Sequence, residues 1–413
     1  MKSIFTLLFI LIAILTYAQG AQGCDGTRYI EEIFDEVTVT SGVQYGASVD
    51  VFGNEKNLSM DIYEPAGDTQ TKRPVIILAH GGSFIFGDRS LMAAACTDFA
   101  KKGYVAASID YRLWSIGLGL PDSLDVQDIV IKASLDMKAA IRFFRKDADT
   151  DNNYRADENM ILSGGLSAGA IVGLTAGMLD PTDDIPDFAL DILEDNIVDN
   201  DFEGTSGNSG YSSEVQGIIN WSGGLYKLDW LDSEDPPIAS MHGNADGTVP
   251  YEHGIANGIA SINGSGLLHP RALEVGVPSY LLTVEGGGHT DIYTDVVFAD
   301  FQAQWEMEGI PFIEDVVCDE LSNNSEVLKA LQADVIIAPN PANEYTTIQT
   351  ENIKEAYDLH VYDAIGQLVY RVNNVNDINF NLNQSKIGNG LFMVTLIFEN
   401  TALPPVSKKV IFQ

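Results

Sequence analysis

Six short runs in this chain are largely apolar and each ends in a glycine-rich or charged loop. They are "PVIILAHGG" (Pro74 to Gly82), "YVAASIDYR" (Tyr104 to Arg112), "NMILSGG" (Asn159 to Gly165), "VQGIINWSGG" (Val215 to Gly224), "PPIASMHGNAD" (Pro236 to Asp246) and "SYLLTVEGGGH" (Ser279 to His289). A strand with one wet face alternates apolar and polar residues, whereas a strand covered on both faces does not. These runs therefore read as buried strands. Between them lie helical stretches. Asp128 to Ala148 places Ile131, Leu135, Ala139, Ile141 and Phe144 at helical spacing, and Ala168 to Leu179 is apolar and rich in Ala and Gly. "LSMDIYEP" (Leu58 to Pro65) alternates and stops at proline, as a half-buried strand does. Such alternation predicts an α/β fold with a doubly wound, mainly parallel sheet, and sites in such folds lie at the carboxyl ends of the strands.

The remaining segments give the domain plan. Met1-Lys2-Ser3 followed by the apolar Ile4 to Ala18 reads as a signal peptide, residues 1–18, cleaved between 18 and 21. "AQGC" (Ala21 to Cys24) is a poor match to a lipoprotein cleavage site. No other run is apolar enough over its length to span a bilayer. The catalytic-type domain is expected over residues 24–318. Asp180 to Ser213, acidic and then rich in Gly, Ser and Asn, interrupts it and is expected to form a cap-like insertion over the site. Residues 319–333 read as a linker. From 334 to 413 short alternating strands separated by turn residues predict a small all-β sandwich.

Charge excludes one class of partner. With 23 Lys and Arg against 59 Asp and Glu, the formal net charge is -36. Phosphate backbones need clustered Lys and Arg, so nucleic acid is not expected, nor is an anionic membrane surface. Of the three cysteines, Cys24 near the start of the processed chain and Cys318 at the end of the large domain are expected to pair in an oxidising compartment. Cys96, in an apolar stretch, reads as a buried thiol. "DADTDNNYRADE" (Asp147 to Glu158) has acids at positions 1, 3, 5 and 12 of an EF-hand loop but Asn152 where the glycine belongs, and reads as a solvated acidic loop rather than a metal site.

Chemistry concentrates around "ILSGGLSAGA". Gly165-Leu166-Ser167-Ala168-Gly169 fits G-x-S-x-G, a weak pattern alone, but here a strand precedes it and a helix follows, the order a nucleophile elbow requires. A hydroxyl needs a base, and the base needs an acid to hold it. Of six histidines, His289 lies after Ser167 at a strand end in a glycine loop and is the expected base. His80, His242, His253, His269 and His360 are less well placed. Asp246 in "HGNADGTVP" is the expected acid, with Asp291 as its rival and a turn-capping role as its plain alternative.

"HGGSFIFGD", "SIDYRL", "GGLSAGA", "HGNADGTVPY" and "GGGH", in this order, resemble the secreted esterase/lipase branch of the α/β-hydrolase superfamily from about Thr27 to Glu308. The resemblance implies Ser167 as nucleophile, Asp246 as acid and His289 as base, with the amides of Gly82, Ser83 and Ala168 as the oxyanion hole. Ser83 stands where many relatives have a third glycine. It implies hydrolysis of a small-molecule or glycan-linked ester, with no metal and no organic cofactor. A serine peptidase of the same fold and a non-catalytic binding protein are the alternatives. The tail pieces "APNPANEYTTI", "VYDAIGQLVY", "GLFMVTL" and "SKKVIF" resemble the C-terminal sorting domain of Bacteroidetes type IX secretion cargo. That resemblance implies the type IX machinery as a partner, and passage through the periplasm to the cell surface or beyond.

Overall fold

The computed structural model describes residues 21–50, 52–181, 183, 202–318, 335–350, 356–363, 368–398 and 406–413. The expected signal peptide, the linker and most of the insertion lie outside them. The chain divides into two compact units, Met1–Asp319 and Glu320–Gln413.

The first unit is built on an eight-stranded sheet. In chain order its strands are β1 (Val37–Val49), β2 (Glu55–Pro65), β3 (Arg73–Ala79), β4 (Val105–Ile109), β5 (Ala156–Leu166), β6 (Gly217–Trp221), β8 (Ile238–Gly243) and β11 (Ser279–Val284). A small second sheet holds β7 (Gly224–Leu225), β9 (His253–Ala256) and β10 (Ala260–Gly264). The main sheet runs β1-β2-β4-β3-β5-β6-β8-β11. All pairings from β4 to β11 are parallel, while β2 is antiparallel to both its neighbours. The six apolar runs became the six parallel strands. β3 and β4 are buried at every residue, which is why their sequences show no alternation. β1 was not legible: none of its first eight residues is buried, and Tyr45 is the single buried residue of the strand, so no apolar periodicity marks it.

Helices α1 (Ala93–Lys102), α2 (Ser123–Asp149), α3 (Ala168–Met178), α4 (Ser265–Val275) and α5 (Ile310–Val317) accompany the sheet. The helix predicted from Asp128 starts earlier because Asp122 caps it. The Asp122 carboxylate accepts the N–H groups of Leu124 and Asp125, and Asp125 returns the bond to Asp122 N–H, a full capping box.

Helix α3 determines the geometry of the site. It lies on the sheet with almost nothing between. A Cβ on Gly169 would run into the carbonyl of Ala79 at the end of β3, and one on Gly173 would stand 2.7 Å from Gly164 Cα in β5. Ser163 Oγ donates to Gly173 O (3.1 Å) across this contact. The Ala/Gly composition of α3 thus records a close approach of two backbones.

The described part of the 180–213 insertion is pinned to α2. Arg142 donates to the carbonyl oxygens of Glu203 and Gly207. Ser206 Oγ donates to Asp136 (2.7 Å), the fully buried partner of Arg112. A disulfide joins Cys24 to Cys318 with the Cα atoms 5.8 Å apart, and Ala21 N–H donates to Val317 O beside it. Cys96 is a buried free thiol, its pKa pushed up by burial.

The second unit contains two antiparallel sheets. One holds β12 (Val335–Ala338), β13 (Tyr345–Thr350) and β16 (Asn379–Asn383). The other runs in the order β15 (Leu368–Val375), β14 (Tyr357–Asp363), β17 (Gly390–Phe398), β18 (Val406–Phe412). Val335, Ile348 and Leu382 from one sheet and Leu359, Val361 and Val394 from the other share a single core, the arrangement of a sandwich.

Gly169→Ala is expected to destabilise the fold by about 3 kcal/mol, because the new Cβ meets backbone that cannot rotate away. Urea unfolding of the variant against wild type checks this.

Candidate active site

Strand β5 ends at Leu166, and the chain turns into α3 within one residue. That residue is Ser167, with φ 57° and ψ -120°. A non-glycine residue in this region costs about 1–3 kcal/mol and persists only where its surroundings hold it. Here they do. Ser167 N–H donates to Trp221 O at the end of β6 (2.8 Å), and its carbonyl accepts the N–H of Ile171 in α3 (3.1 Å). The turn lifts the Ser167 side chain above the carboxyl end of the sheet.

Two further loops meet it there. His289, five residues beyond β11, places Nε2 2.7 Å from Ser167 Oγ. Its Nδ1 lies 2.7 Å from Asp246 Oδ2. Asp246 sits just beyond β8, and its other oxygen accepts the N–H groups of Thr248 (2.8 Å) and Val249 (3.0 Å). The turn-capping and His-holding readings of Asp246 therefore hold together, one on each oxygen. Burial raises its carboxyl pKa, but hydrogen bonds from His242 and His289 outweigh that and hold the group well below the usual carboxylate range. Asp291 instead accepts the N–H groups of Gly288 (2.9 Å) and Ile292 (2.9 Å) and shapes the loop that carries His289.

The loop after β3 closes the site from the other side. A Cβ built on Gly81 would stand 3.3 Å from Ser167 Cβ. Gly82 O accepts the N–H groups of Ile85 (3.0 Å) and Phe86 (3.1 Å), which folds the loop back on itself with φ 134° at Gly82 and 54° at Ser83. Beneath it the His80 ring stacks on Tyr111, with centroids 4.5 Å apart, and Tyr111 Oη donates to His80 O (2.7 Å). Burial lowers the His80 pKa. Its role in this geometry is support of the loop. Ser83 and Ala168 both face the cavity above Ser167.

That cavity holds ≈ 240 Å³ and is bounded chiefly by Phe84, Phe86, Val130, Ile171, Tyr226 and Trp230. Phe84 and Phe86 belong to the "HGGSFIFGD" loop and line the pocket, whereas Trp114 and Trp221, close in sequence to the other strand ends, do not. Trp221 packs instead against Phe99, Tyr293 and Trp305. Tyr226, Trp230 and the β9–β10 hairpin were not anticipated. They come from the small second sheet and its surroundings, whose short strands leave little periodicity to read. None of the described residues 202–213 lines the cavity.

The EF-hand-like acids diverge. Asp147 accepts from Asn153 and Tyr154, Asp149 from the Tyr211 hydroxyl, and Glu158 pairs with Lys72 at 2.5 Å. Of the other histidines, His253 is exposed, His269 is half-buried against Ser279 Oγ with its pKa lowered by desolvation to about 4, and His360 lies in the second unit.

A Ser–His–Asp array at the carboxyl ends of a mainly parallel sheet, with the serine on a strand–helix elbow, defines the α/β-hydrolases. Comparison with known proteins agrees. Residues 60–228 match the family described as BD-FAE, and residues 336–413 match the secretion system C-terminal sorting domain. The chain thus carries an α/β-hydrolase esterase domain of BD-FAE type over residues 60–228 and a C-terminal sorting domain over residues 336–413, which marks it for the cell surface or the exterior.

The chain is 25% identical over 191 residues to Esterase LipC of Mycobacterium tuberculosis (strain ATCC 25618 / H37Rv), covering 46% of this chain and 38% of that protein. It is 25% identical over 268 residues to the probable isoprenylcysteine alpha-carbonyl methylesterase ICME of Oryza sativa subsp. japonica, covering 59% and 58%. It therefore spans less than two thirds of either relative. Among solved structures, propionate-bound Est2, an esterase of Thermogutta terrifontis, aligns with TM-score 0.49 at 20% identity over 70% of this chain and 98% of that one. A truncated carbohydrate esterase from gut microbiota aligns with TM-score 0.47 at 20% identity, over 68% and 98%. No helix among the described residues is long and apolar enough to cross a membrane.

A carboxyl held below its ordinary pKa stabilises the fold above about pH 4 and loses that contribution as pH falls through its folded value. Asp246→Asn removes the titration. Its unfolding free energy is expected to fall less steeply than wild type between pH 5 and pH 2, read by urea titration at each pH.

Proposed function

We propose that this protein is a secreted serine ester hydrolase working through an acyl-enzyme, and that it prefers short to medium apolar acyl groups. The observation that carries the reading is the unbroken relay from Ser167 through His289 to Asp246, two contacts of 2.7 Å each, opening on an apolar cavity. The match to the BD-FAE family and the likeness to proteins named as an esterase and a methylesterase support the same class.

In this scheme His289 Nε2 takes the Ser167 proton as Oγ attacks the ester carbonyl. Asp246 holds the imidazole with Nδ1–H toward itself, so that Nε2 is free to accept, and its charge balances the imidazolium that forms. The oxyanion develops beside the amides of Gly82, Ser83 and Ala168, donors worth about 10²–10³ each in rate. His289 then returns the proton to the departing alcohol. Water repeats the sequence on the acyl-enzyme and releases the acid. The acyl chain occupies the cavity lined by Phe84, Ile171 and Trp230, where each buried methylene adds about 0.8 kcal/mol. The C-terminal unit is the part read by the type IX secretion machinery.

On p-nitrophenyl esters from C2 to C12, kcat/KM is expected to rise up to about 4-fold per methylene over the first few steps. It then falls once the chain outgrows the cavity. Ser167→Ala is expected to lose the activity at every length. Full activity in that variant would overturn the mechanism.

A further inference from the structure

Asp246 holds a second imidazole that the mechanism above does not use. His242, wholly buried near the end of β8, has Nε2 3.2 Å from Asp246 Oδ2, the oxygen that also meets His289. The same Nε2 lies 3.1 Å from Val249 O, and Nδ1 lies 2.8 Å from Ser265 Oγ. The direction of this network is fixed from its far end. Gly223 N–H can only donate, and it donates to Asn220 Oδ1 (3.0 Å). That orients the amide, so Asn220 Nδ2 donates to Ser240 Oγ (3.1 Å) and Ser265 Oγ (3.0 Å). Ser265 Oγ thus accepts from Asn220 and keeps its own hydrogen available for His242 Nδ1. A ring that accepts at Nδ1 carries its hydrogen on Nε2, where both neighbours, Val249 O and Asp246 Oδ2, are acceptors.

Asp246 thus takes N–H groups from Thr248 and Val249 on one oxygen and from His289 on the other, while His242 Nε2, whose hydrogen bonds Val249 O, stands 3.2 Å from that second oxygen, close to the full acceptor capacity of a carboxylate. We propose that His242 is a positioning residue for the Ser167–His289–Asp246 array: with its Nε2–H between Val249 O and Asp246 Oδ2, and its ring oriented through Ser265 and Asn220, it locks the Asp246 carboxylate and shares its charge with His289. The proposal rests on the serine-hydrolase reading.

The other titratable groups packed here are tyrosines. The Tyr251 ring meets His242 edge-on, with centroids 5.6 Å apart, and its hydroxyl lies 2.6 Å from Thr283 Oγ1. Burial raises its pKa, and the charges of Glu252 and Glu285 act on it as well. Tyr293, which feels Asp246, is likewise raised by burial, and its hydroxyl donates to Met241 O (2.9 Å). Both remain neutral through the acid range. Removing the His242 donor leaves Asp246 more basic, and it then holds the protonated His289 more strongly. The acid limb of kcat/KM moves to higher pH.

The test is kinetics from pH 5 to 9 on a short p-nitrophenyl ester, using the full chain, His242→Phe, His242→Gln, Ser265→Ala and the Ser167→Ala control. His242→Phe is expected to lower kcat about 10- to 100-fold, the worth of one hydrogen bond to a charge. KM should stay within about 2-fold, and the acid limb should move up by about 0.5–1 pH unit. His242→Gln returns an N–H near the Nε2 position and should recover much of both. Ser265→Ala, which touches neither Asp246 nor substrate, should move the acid limb in the same direction by less. Should His242→Phe fail to fold, the Gln and Ser265→Ala variants carry the test. Acid limbs unmoved in every folded variant overturn the proposal while the array stands. Full activity in Ser167→Ala, or an inactive wild type, overturns the serine-hydrolase reading and this proposal with it.

Discussion

The site depends on how close helix α3 comes to the sheet. Gly169 lies against Ala79 and Gly173 against Gly164, with no side chain between. Only at that distance can the chain leave β5, reverse at one residue and enter the helix. The cost is carried by Ser167, whose backbone sits at φ 57°. It is met by the Trp221 carbonyl and the first turn of α3. The same close approach sets Ala168 N–H at the start of the helix, beside the loop of Gly82 and Ser83. Ser167 Oγ and the Ala168 N–H, the proposed nucleophile and one proposed oxyanion donor, thus owe their places to a single backbone event.

Around this fixed point the other groups come from loops, but not from loose ones. His289 is held by a turn that Asp291 stabilises and Asp246 by its own turn. The loop of Gly82 stands on the His80–Tyr111 stack. Each strand end of the parallel sheet contributes one loop, so groups distant in sequence converge without any element having to move. The sheet is rigid because its central strands are buried on both faces. Loop geometry inherits that rigidity.

Much of this was legible in the residues. Continuous apolar runs marked the parallel strands because burial on both faces removes the polar positions. Ser167, Asp246 and His289 were legible because each follows such a run in a glycine-rich loop, and chain order then limited the choices. Cys24 and Cys318, 294 residues apart, were paired from their places at the two ends of a domain. What sequence could not give were contacts set by packing alone. β1 presents mostly unburied side chains along its first half and so carries no apolar signature. Tyr226 follows a two-residue strand and Trp230 ends a three-residue helical turn, Leu228–Trp230, both too short for any period. His242 was visible as a histidine near Asp246 in sequence. Its direction toward that carboxylate came only from Ser265 and Asn220, which arrive from other elements. Trp114 and Trp221 illustrate the converse, since aromatic residues near a motif need not face the cavity.

The central claim is that Ser167 is the one hydroxyl made nucleophilic by its surroundings. The most direct measurement is reaction of the folded full chain with a fluorophosphonate, followed by intact mass and peptide mapping. The account predicts a single phosphonyl adduct per chain, located on Ser167 and blocked by unfolding in urea. No adduct on folded protein, or an adduct on another residue with Ser167 unmodified, would contradict it.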